Sequence, residues 1–191
     1  MDYLEQWTSR SGLRLGLRRI MASDASQLCA LIAGLTQASR YQRFHGDRRT
    51  LSPRELRYLV EVDFRRHHAF VVCALCDGIE ILVAEVRCAA LADKPGRVEY
   101  AVTVADLWQR QGIGRRCMEF LIRAATRDGY TQLEGEVLPS NVAMLGLARS
   151  LGFACTRVGG QLSTTGLVLC KESPALPSRA PAAQQISAFS N

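Results

Sequence analysis

Gln109-Arg110-Gln111-Gly112-Ile113-Gly114-Arg115-Arg116 is the stretch on which the reading of this chain turns. It lies between a predicted strand, Arg97 to Val104, and a predicted helix that begins near Gly112. Glycine lets the backbone take positive φ and come close to a ligand. The first N–H groups of a helix have no carbonyl one turn back, and the positive end of the helix dipole lies behind them. Together these features make a cradle for a phosphate or pyrophosphate, and Arg110, Arg115 and Arg116 add positive charge around it. A glycine pair with this spacing also serves as a tight turn that packs helix on sheet, so both readings stand at this point. A P-loop is excluded, because no G-x-x-x-x-G-K-[ST] occurs. A dinucleotide fingerprint fails too: its third glycine would fall at Cys117, with Met118 and Glu119 following, and the preceding strand arrives from an antiparallel meander.

Working outward, Ala69 to Cys76 is a continuous apolar run, Asp77-Gly78 reads as a hairpin turn, and Ile79 to Ala89 is the return strand. Asp93 to Gly96 makes a second turn into Arg97–Val104. Upstream, Leu13, Leu15 and Leu17 alternate as in a strand. Ser23 or Asp24 caps a helix carrying Leu28, Leu31, Ile32 and Leu35. Ser39 to Gly46 reads as a short helix and loop. Ser52-Pro53-Arg54-Glu55 is a capping box with Pro at the first helical position. His67-His68 lies just ahead of the apolar run, in a solvated or capping position.

Downstream of the glycines, Ile113, Cys117, Phe120, Leu121 and Ala124 share a helix face that ends at Gly129. Leu133 to Leu138 is a strand. Ser140 caps a helix from Asn141 to Leu151, and Gly152 ends it. Phe153–Val158, Gly159-Gly160 and Leu162–Cys170 form a closing hairpin. The strand–helix–strand unit from Val98 to Leu138 demands a right-handed parallel crossover. The fold class is therefore α/β (α+β): one mixed central sheet of six to seven strands with helices on both faces. Residues 1–172 form one domain, and 173–191, rich in Pro, Ala, Ser and Gln, read as a disordered tail.

A chain of 191 residues with 48% hydrophobic and 22% charged residues is globular rather than disordered. No apolar run approaches the ~20 residues of a membrane span, and Met1 to Glu5 lacks the order of a signal peptide. The expectation is a cytoplasmic protein that engages no membrane. The net charge is +6, yet only Lys94 and Lys171 are lysines. The arginines are scattered and aromatics amount to 7%, which argues against nucleic acid as a partner. Seven cysteines sit mostly in apolar runs, as small buried hydrophobes in a reducing compartment. Cys73 and Cys76 form a C-x2-C, but no second ligand pair stands at zinc-site distance, so no metal is expected.

The loop Gln109-x-x-Gly112-x-Gly114 resembles the Q/R-x-x-G-x-G/A signature of the GNAT (Gcn5-related) N-acetyltransferases. Asn141 followed eleven positions on by Gly152-Phe153 is similar to that family's Asn-to-Gly-Phe segment, and the element order agrees over residues 11 to 171. The segments Ser39-Arg40-Tyr41-x-Arg43-Phe44, Leu51-Ser52, Glu99-Tyr100-Ala101-Val102 and Leu133 to Leu138, with Asn141-x-x-Met144-Leu145, resemble the GNAT domain of bacterial Pat-type protein-lysine acetyltransferases.

The resemblance implies acetyl-CoA as donor and transfer to an amine, with a protein lysine as the favoured acceptor. The alternatives are a small-molecule amine as acceptor, or a non-catalytic acetyl-CoA sensor. It implies that the pantetheine arm pairs with the backbone of Val102 and Val104. It places the pyrophosphate on the N–H groups from Arg110 through Gln111, Gly112, Ile113 and Gly114 to Arg115, after Gln109 opens the motif, and sets Asn141 against the arm. A backbone N–H of the same strand would serve a thioester oxyanion.

A lysine amine attacks only as the free base, and with a pKa near ~10.4 about one in a thousand is ready at neutral pH. The matching Glu in Pat-type enzymes is a general base, which points to Glu99; an ion pair with Arg97 or another Arg is the structural alternative. Glu134 and Glu136 share a strand face and could line an acidic acceptor groove, or simply pair with arginines. The family's Tyr acid, seven residues after the Asn, is absent: that place is Ala148. Tyr100, Tyr41 and Cys155 are the substitutes to consider, although Tyr100 lies in the opposite alternation phase from Glu99.

Overall fold

The computed structural model describes residues 2–9, 11–46, 48–76, 78–158 and 162–169. Asp77 of the first hairpin turn, the Gly159-Gly160 turn, and everything from Cys170 on, including residues 173–191, lie outside the described residues.

Among the described residues, eight strands form one sheet in the order β1-β2-β3-β4-β5-β6-β8-β7. They are β1 Glu5–Thr8, β2 Arg14–Arg19, β3 His67–Cys76, β4 Ile79–Ala90, β5 Arg97–Val104, β6 Gln132–Val137, β7 Ala154–Val158 and β8 Leu162–Val168. Every neighbouring pair is antiparallel except β5 and β6, which are parallel and joined through a helix. Five α-helices accompany the sheet among the described residues: α1 Ala25–Gly34, α2 Gln37–Phe44, α3 Pro53–Val60, α4 Ile113–Arg127 and α5 Val142–Ser150.

The sheet separates two cores, which is why β3 reads as an unbroken apolar run rather than an alternation. Phe70, Val72 and Ala74 face α4 and α5, where Ile113, Cys117, Met118 and Leu121 pack at helical spacing. Ala69, Val71 and Cys73 face the other way, against Leu28, Leu31 and Ile32 of α1 and Val60 of α3. Burying a side chain such as Leu121 contributes roughly 1.5–3 kcal/mol. The capping box of α3 forms as its sequence requires, with Ser52 accepting from the N–H of Glu55 and Glu55 reaching back to Ser52.

Several local expectations change. β1 is an eighth strand, paired with β2 from Glu5↔Leu17 to Thr8↔Arg14. Its alternation is hidden in the sequence because Glu5 shares the inward phase with Tyr3 and Trp7; Glu5 is held by Arg123 of α4, and Arg116 stacks over the Trp7 ring at 4.9 Å. Asp24 does not cap α1 with its side chain. Its carboxylate instead receives both terminal nitrogens of buried Arg18 at 2.8 Å. Asn141, not Ser140, caps α5, accepting from Met144 N at 3.0 Å. His67 and His68 lie inside β3 and are buried, not solvated. Finally, Val83 is an extra residue in β4, since Val72 pairs with Ala84 and Cys73 with Leu82. The carbonyl of Val83 takes the N–H of Ala105 at 2.9 Å, at the end of β5 where the glycine loop begins.

Candidate active site

β5 and β6 pair only over Arg97↔Gln132, Val98↔Leu133 and Glu99↔Glu134; beyond that they part. Tyr100 is the wedge. Its ring lies over Gly135, where an added Cβ would come within 2.8 Å of Tyr100 Cε1. Its hydroxyl bonds Thr165 Oγ1 at 2.6 Å, Thr165 bonds Gly135 O at 3.0 Å, and Phe153 meets the ring edge-on at 5.4 Å. Burial pushes the Tyr100 phenol up to about 12. A tyrosine bound and buried in this way is a packing element, and it is withdrawn as a substitute acid.

The parting of the strands leaves an unpaired backbone edge. Ala105 N bonds Val83 O, and in the β4–β5 register the odd-numbered residues therefore turn their backbone groups toward β4. Val102 and Val104 face the gap. The carbonyl of Val104 is taken by Gln109 Nε2 at 3.1 Å, which leaves the Val102 N–H and C=O and the Val104 N–H.

A cleft of about 570 Å³ opens over this gap. It is lined by Val102, Val104, Gln109, Arg110, Gly112, Gly114, Arg115 and Asn141, together with Glu99. Gln111 and Ile113 are not among its walls. The Ile113 side chain is buried in the core beneath α4, and Gln111 Nε2 ties back to Leu107 O at 3.1 Å, bracing the loop. Only their backbone N–H groups can face a ligand. Asn141 spends its Oδ1 on the α5 cap.

The loop itself is built as a cradle. Gly112 is the N-cap of α4 at φ 84 with no side-chain cap, so the first-turn N–H groups are left for a ligand. Arg110 also sits at φ 60. At Gly114 an added Cβ would meet only Leu147 at 3.6 Å and Val104 at 3.7 Å, both ordinary contacts. The protein itself would therefore tolerate a methyl there, and a longer side chain would project into the cleft. Arg110 has no ion pair among the described residues, whereas Arg115 is drawn toward Glu119 at 3.3 Å and Ser150 Oγ at 2.6 Å, and Arg116 turns away to Trp7.

Glu99 is exposed, with no hydrogen bond or ion pair among the described residues. The ion pair with Arg97 does not form, because Arg97 (3.4 Å) and Lys94 (2.8 Å) both go to Glu134, the residue in register beside Glu99. Glu134 is thereby neutralised, and Glu136 alone of that pair lines the cleft. Glu99 also borders a second cavity of about 300 Å³ between β5, α2 and α3, walled by Phe44, Leu51, Tyr58 and Leu59. Its walls also carry Arg43, Arg48, Glu55, His67 and Arg87. Buried Glu85 pairs with Arg87 and, at 3.8 Å, with Arg43, while Arg87 reaches His67 Nε2 at 3.0 Å. Burial, then the adjacent Arg87 charge, holds the His67 imidazole down at about 4, so it is neutral. Arg43 donates to Thr103 Oγ1 at 2.9 Å, and burial pulls its pKa below the usual guanidinium value. The sequence offers Arg43 and Phe44 only within a motif; their place on both cavities comes from the docking of α2.

Residues 36–153 match the family model described as the acetyltransferase (GNAT) family. The chain belongs to that family. An acetyltransferase of Pseudomonas aeruginosa is 33% identical over 146 residues, covering 76% of this chain and 78% of the relative. The GNAT domain of S. lividans PAT superposes with a TM-score of 0.76 at 23% identity, over 86% of this chain and 96% of that one. The yncA protein of Salmonella typhimurium, solved with its cofactor acetyl-CoA, gives a TM-score of 0.64 at 20% identity, over 87% and 99%. As a GNAT member this chain is an acyltransferase with acetyl-CoA as donor. The glycine cradle, the open Gly114 and the unpaired β5 edge fit that donor.

Proposed function

We propose that this GNAT enzyme transfers the acetyl group of acetyl-CoA to a protein lysine, with Glu99 as general base. The observation that carries the reading is Glu99 itself: an unpaired carboxylate where β5 and β6 part, on the walls of both cavities. Its neighbours in the strand, Tyr100 and Val102, project to the opposite face. The donor would lie with its pyrophosphate on the N–H groups of residues 112–115 and its arm along Val102 and Val104. Acetyl-CoA supplies the activated acetyl group. The second cavity, with Phe44, Leu51 and Leu59 on its walls, suits the apolar stem of a lysine and would bring the amine to Glu99. Glu99 would accept the amine proton, directly or through a water, a contribution of roughly 10²–10⁴-fold. A backbone N–H of the β5 edge would donate to the developing oxyanion. The C–S bond would then break and coenzyme A would leave as its thiolate, since Ala148 has no proton to give and the Tyr100 hydroxyl is bound to Thr165.

The test pairs the purified protein and isotope-labelled acetyl-CoA with a bacterial lysate and, separately, with a lysine-bearing peptide and a polyamine. Mass spectrometry should find labelled acetyl-lysine on proteins and on the peptide. Label on the polyamine alone would replace the protein acceptor by a small amine. Label on neither, with acetyl-CoA bound intact, would mean a sensor rather than a catalyst.

A further inference from the structure

We propose that Asp106 is a positioning residue that ties helix α2 to the cofactor loop, so that seating coenzyme A also sets the wall against which the acceptor docks. Asp106 opens a short 3-10 turn between β5 and α4. Its carboxylate collects donors from two places far apart in the chain: Thr36 N at 2.8 Å, Thr36 Oγ1 at 3.1 Å, Ser39 Oγ at 2.6 Å, and Gln109 Nε2 at 3.4 Å. The α2 N-terminus does not need this carboxylate as its cap, because Thr36 Oγ1 already accepts from Ser39 N at 3.2 Å. What Asp106 adds is a link between elements. Gln109, the first residue of the glycine motif, completes the link by also reaching Ser39 Oγ at 3.4 Å and holding Val104 O.

Further along the same helix, Arg43 donates to Thr103 Oγ1 on β5. Residues 103–109 thus grip α2 at two points, and the same residues lead directly into Gly112 and Gly114. Ser39, Arg43 and Phe44 of α2 line the cofactor cleft, and Arg43 and Phe44 also wall the second cavity. Burial raises the Asp106 carboxyl, but the bonds from Ser39 and Thr36 outweigh it and keep the group below the usual carboxylate range, so it is ionised at neutral pH. An ordered loop therefore implies an anchored α2, and a loop that opens releases it.

The inference rests on the glycine loop as the seat of coenzyme A, and the experiment reads both. Hydrogen–deuterium exchange is followed with and without saturating coenzyme A, in the wild type and in Asp106→Asn, which keeps the size of the side chain but loses its charge and one acceptor. In the wild type, coenzyme A should slow exchange both at residues 113–116 and across residues 37–44, the latter by roughly fivefold or more, the low end of site-to-site coupling. In Asp106→Asn the slowing at 113–116 should persist while that at 37–44 disappears. A bond that is merely structural would speed α2 exchange by the same factor in both states, and that result overturns the proposal. So does a wild-type α2 that ignores coenzyme A while α4 responds. No response at 113–116 in the wild type would overturn the loop assignment and the coupling with it. Ser39→Ala, which removes the shortest of the bonds and leaves the Thr36 cap intact, should show a smaller loss of the same kind. It decides the matter if Asp106→Asn does not fold, with an unchanged α2 response overturning the proposal.

Discussion

Glu99 and Glu134 are in register on adjacent parallel strands, with their side chains on one face. Two carboxylates so placed repel, and the chain relieves this by giving Lys94 and Arg97 to Glu134 alone. Glu99 is left with no ion pair among the described residues, within the field of the Arg43 guanidinium, beside the opening that Tyr100 wedges. Glu99→Gln should therefore lower kcat by roughly 10²–10⁴-fold at neutral pH while leaving acetyl-CoA affinity unchanged. The thermal midpoint should barely move, because no ion pair is lost at an exposed position. Rate should return at high pH, as the amine approaches its own pKa of ~10.4. Steady-state kinetics with calorimetry for the donor checks this; near wild-type turnover under rate-limiting chemistry would move the role to Glu136 or to water.

The loop and α4 act as a unit because the helix begins on a residue in the left-handed region. Gly112 at φ 84 has open space around it, so its requirement is conformational: Gly112→Ala should cost roughly 1–2 kcal/mol of unfolding free energy. Gly114 differs, since its neighbours accept a methyl group at ordinary distances. Gly114→Ala should leave both the denaturation midpoint and donor binding close to wild type. Gly114→Asp should fold yet bind coenzyme A weakly, because its carboxylate would stand where the pyrophosphate is expected. Denaturant melts and calorimetry on the three variants separate the two roles, and a Gly114→Asp that binds normally would remove the pyrophosphate from this helix terminus.

Across the whole molecule, the sheet carries two apolar cores but also a polar set beside the second cavity, buried Glu85, Arg87 and His67 with half-buried Arg43. Buried charge of this kind is costly unless paired, and it gives the fold a pH dependence. His67 is held at about 4 in the fold, chiefly by burial, against ~6.5 in an unfolded chain. Its contribution is complete above pH 6.5. Between about 6.5 and 4 the unfolded chain takes up a proton that the fold refuses, and stability falls. Asp63, held at about 2 by backbone N–H groups of Arg65, His67 and Arg66, adds a second loss below ~3.8. Urea titrations from pH 7 to pH 4 should show the first decline in the wild type, and His67→Gln should be flatter over that window. Parallel curves would show that His67 titrates normally.

Much of this architecture is legible in the residues alone, because the signals are local. The capping box at Ser52, the apolar run of β3, the helical spacing from Ile113 to Ala124 and the glycines that end α4 and α5 each depend on neighbours within a few positions. The glycine loop and its place between strand and helix are legible for the same reason. What only the tertiary structure decides are the pairings at long range. β1 exists because an edge of β2 was open to it, and not because Glu5–Thr8 prefers a strand. His67 is neutral chiefly because the fold buries it, and Arg87, twenty residues on, is brought to its ring and adds to the effect. Arg97 lies two residues from Glu99, yet it serves Glu134 because the parallel register of β5 and β6 puts that carboxylate within its reach. Asp106 looks like any loop acid until α2 folds onto it. Spacing along the chain sets what each segment can become; which charge meets which is set by the sheet order, and no local pattern encodes that.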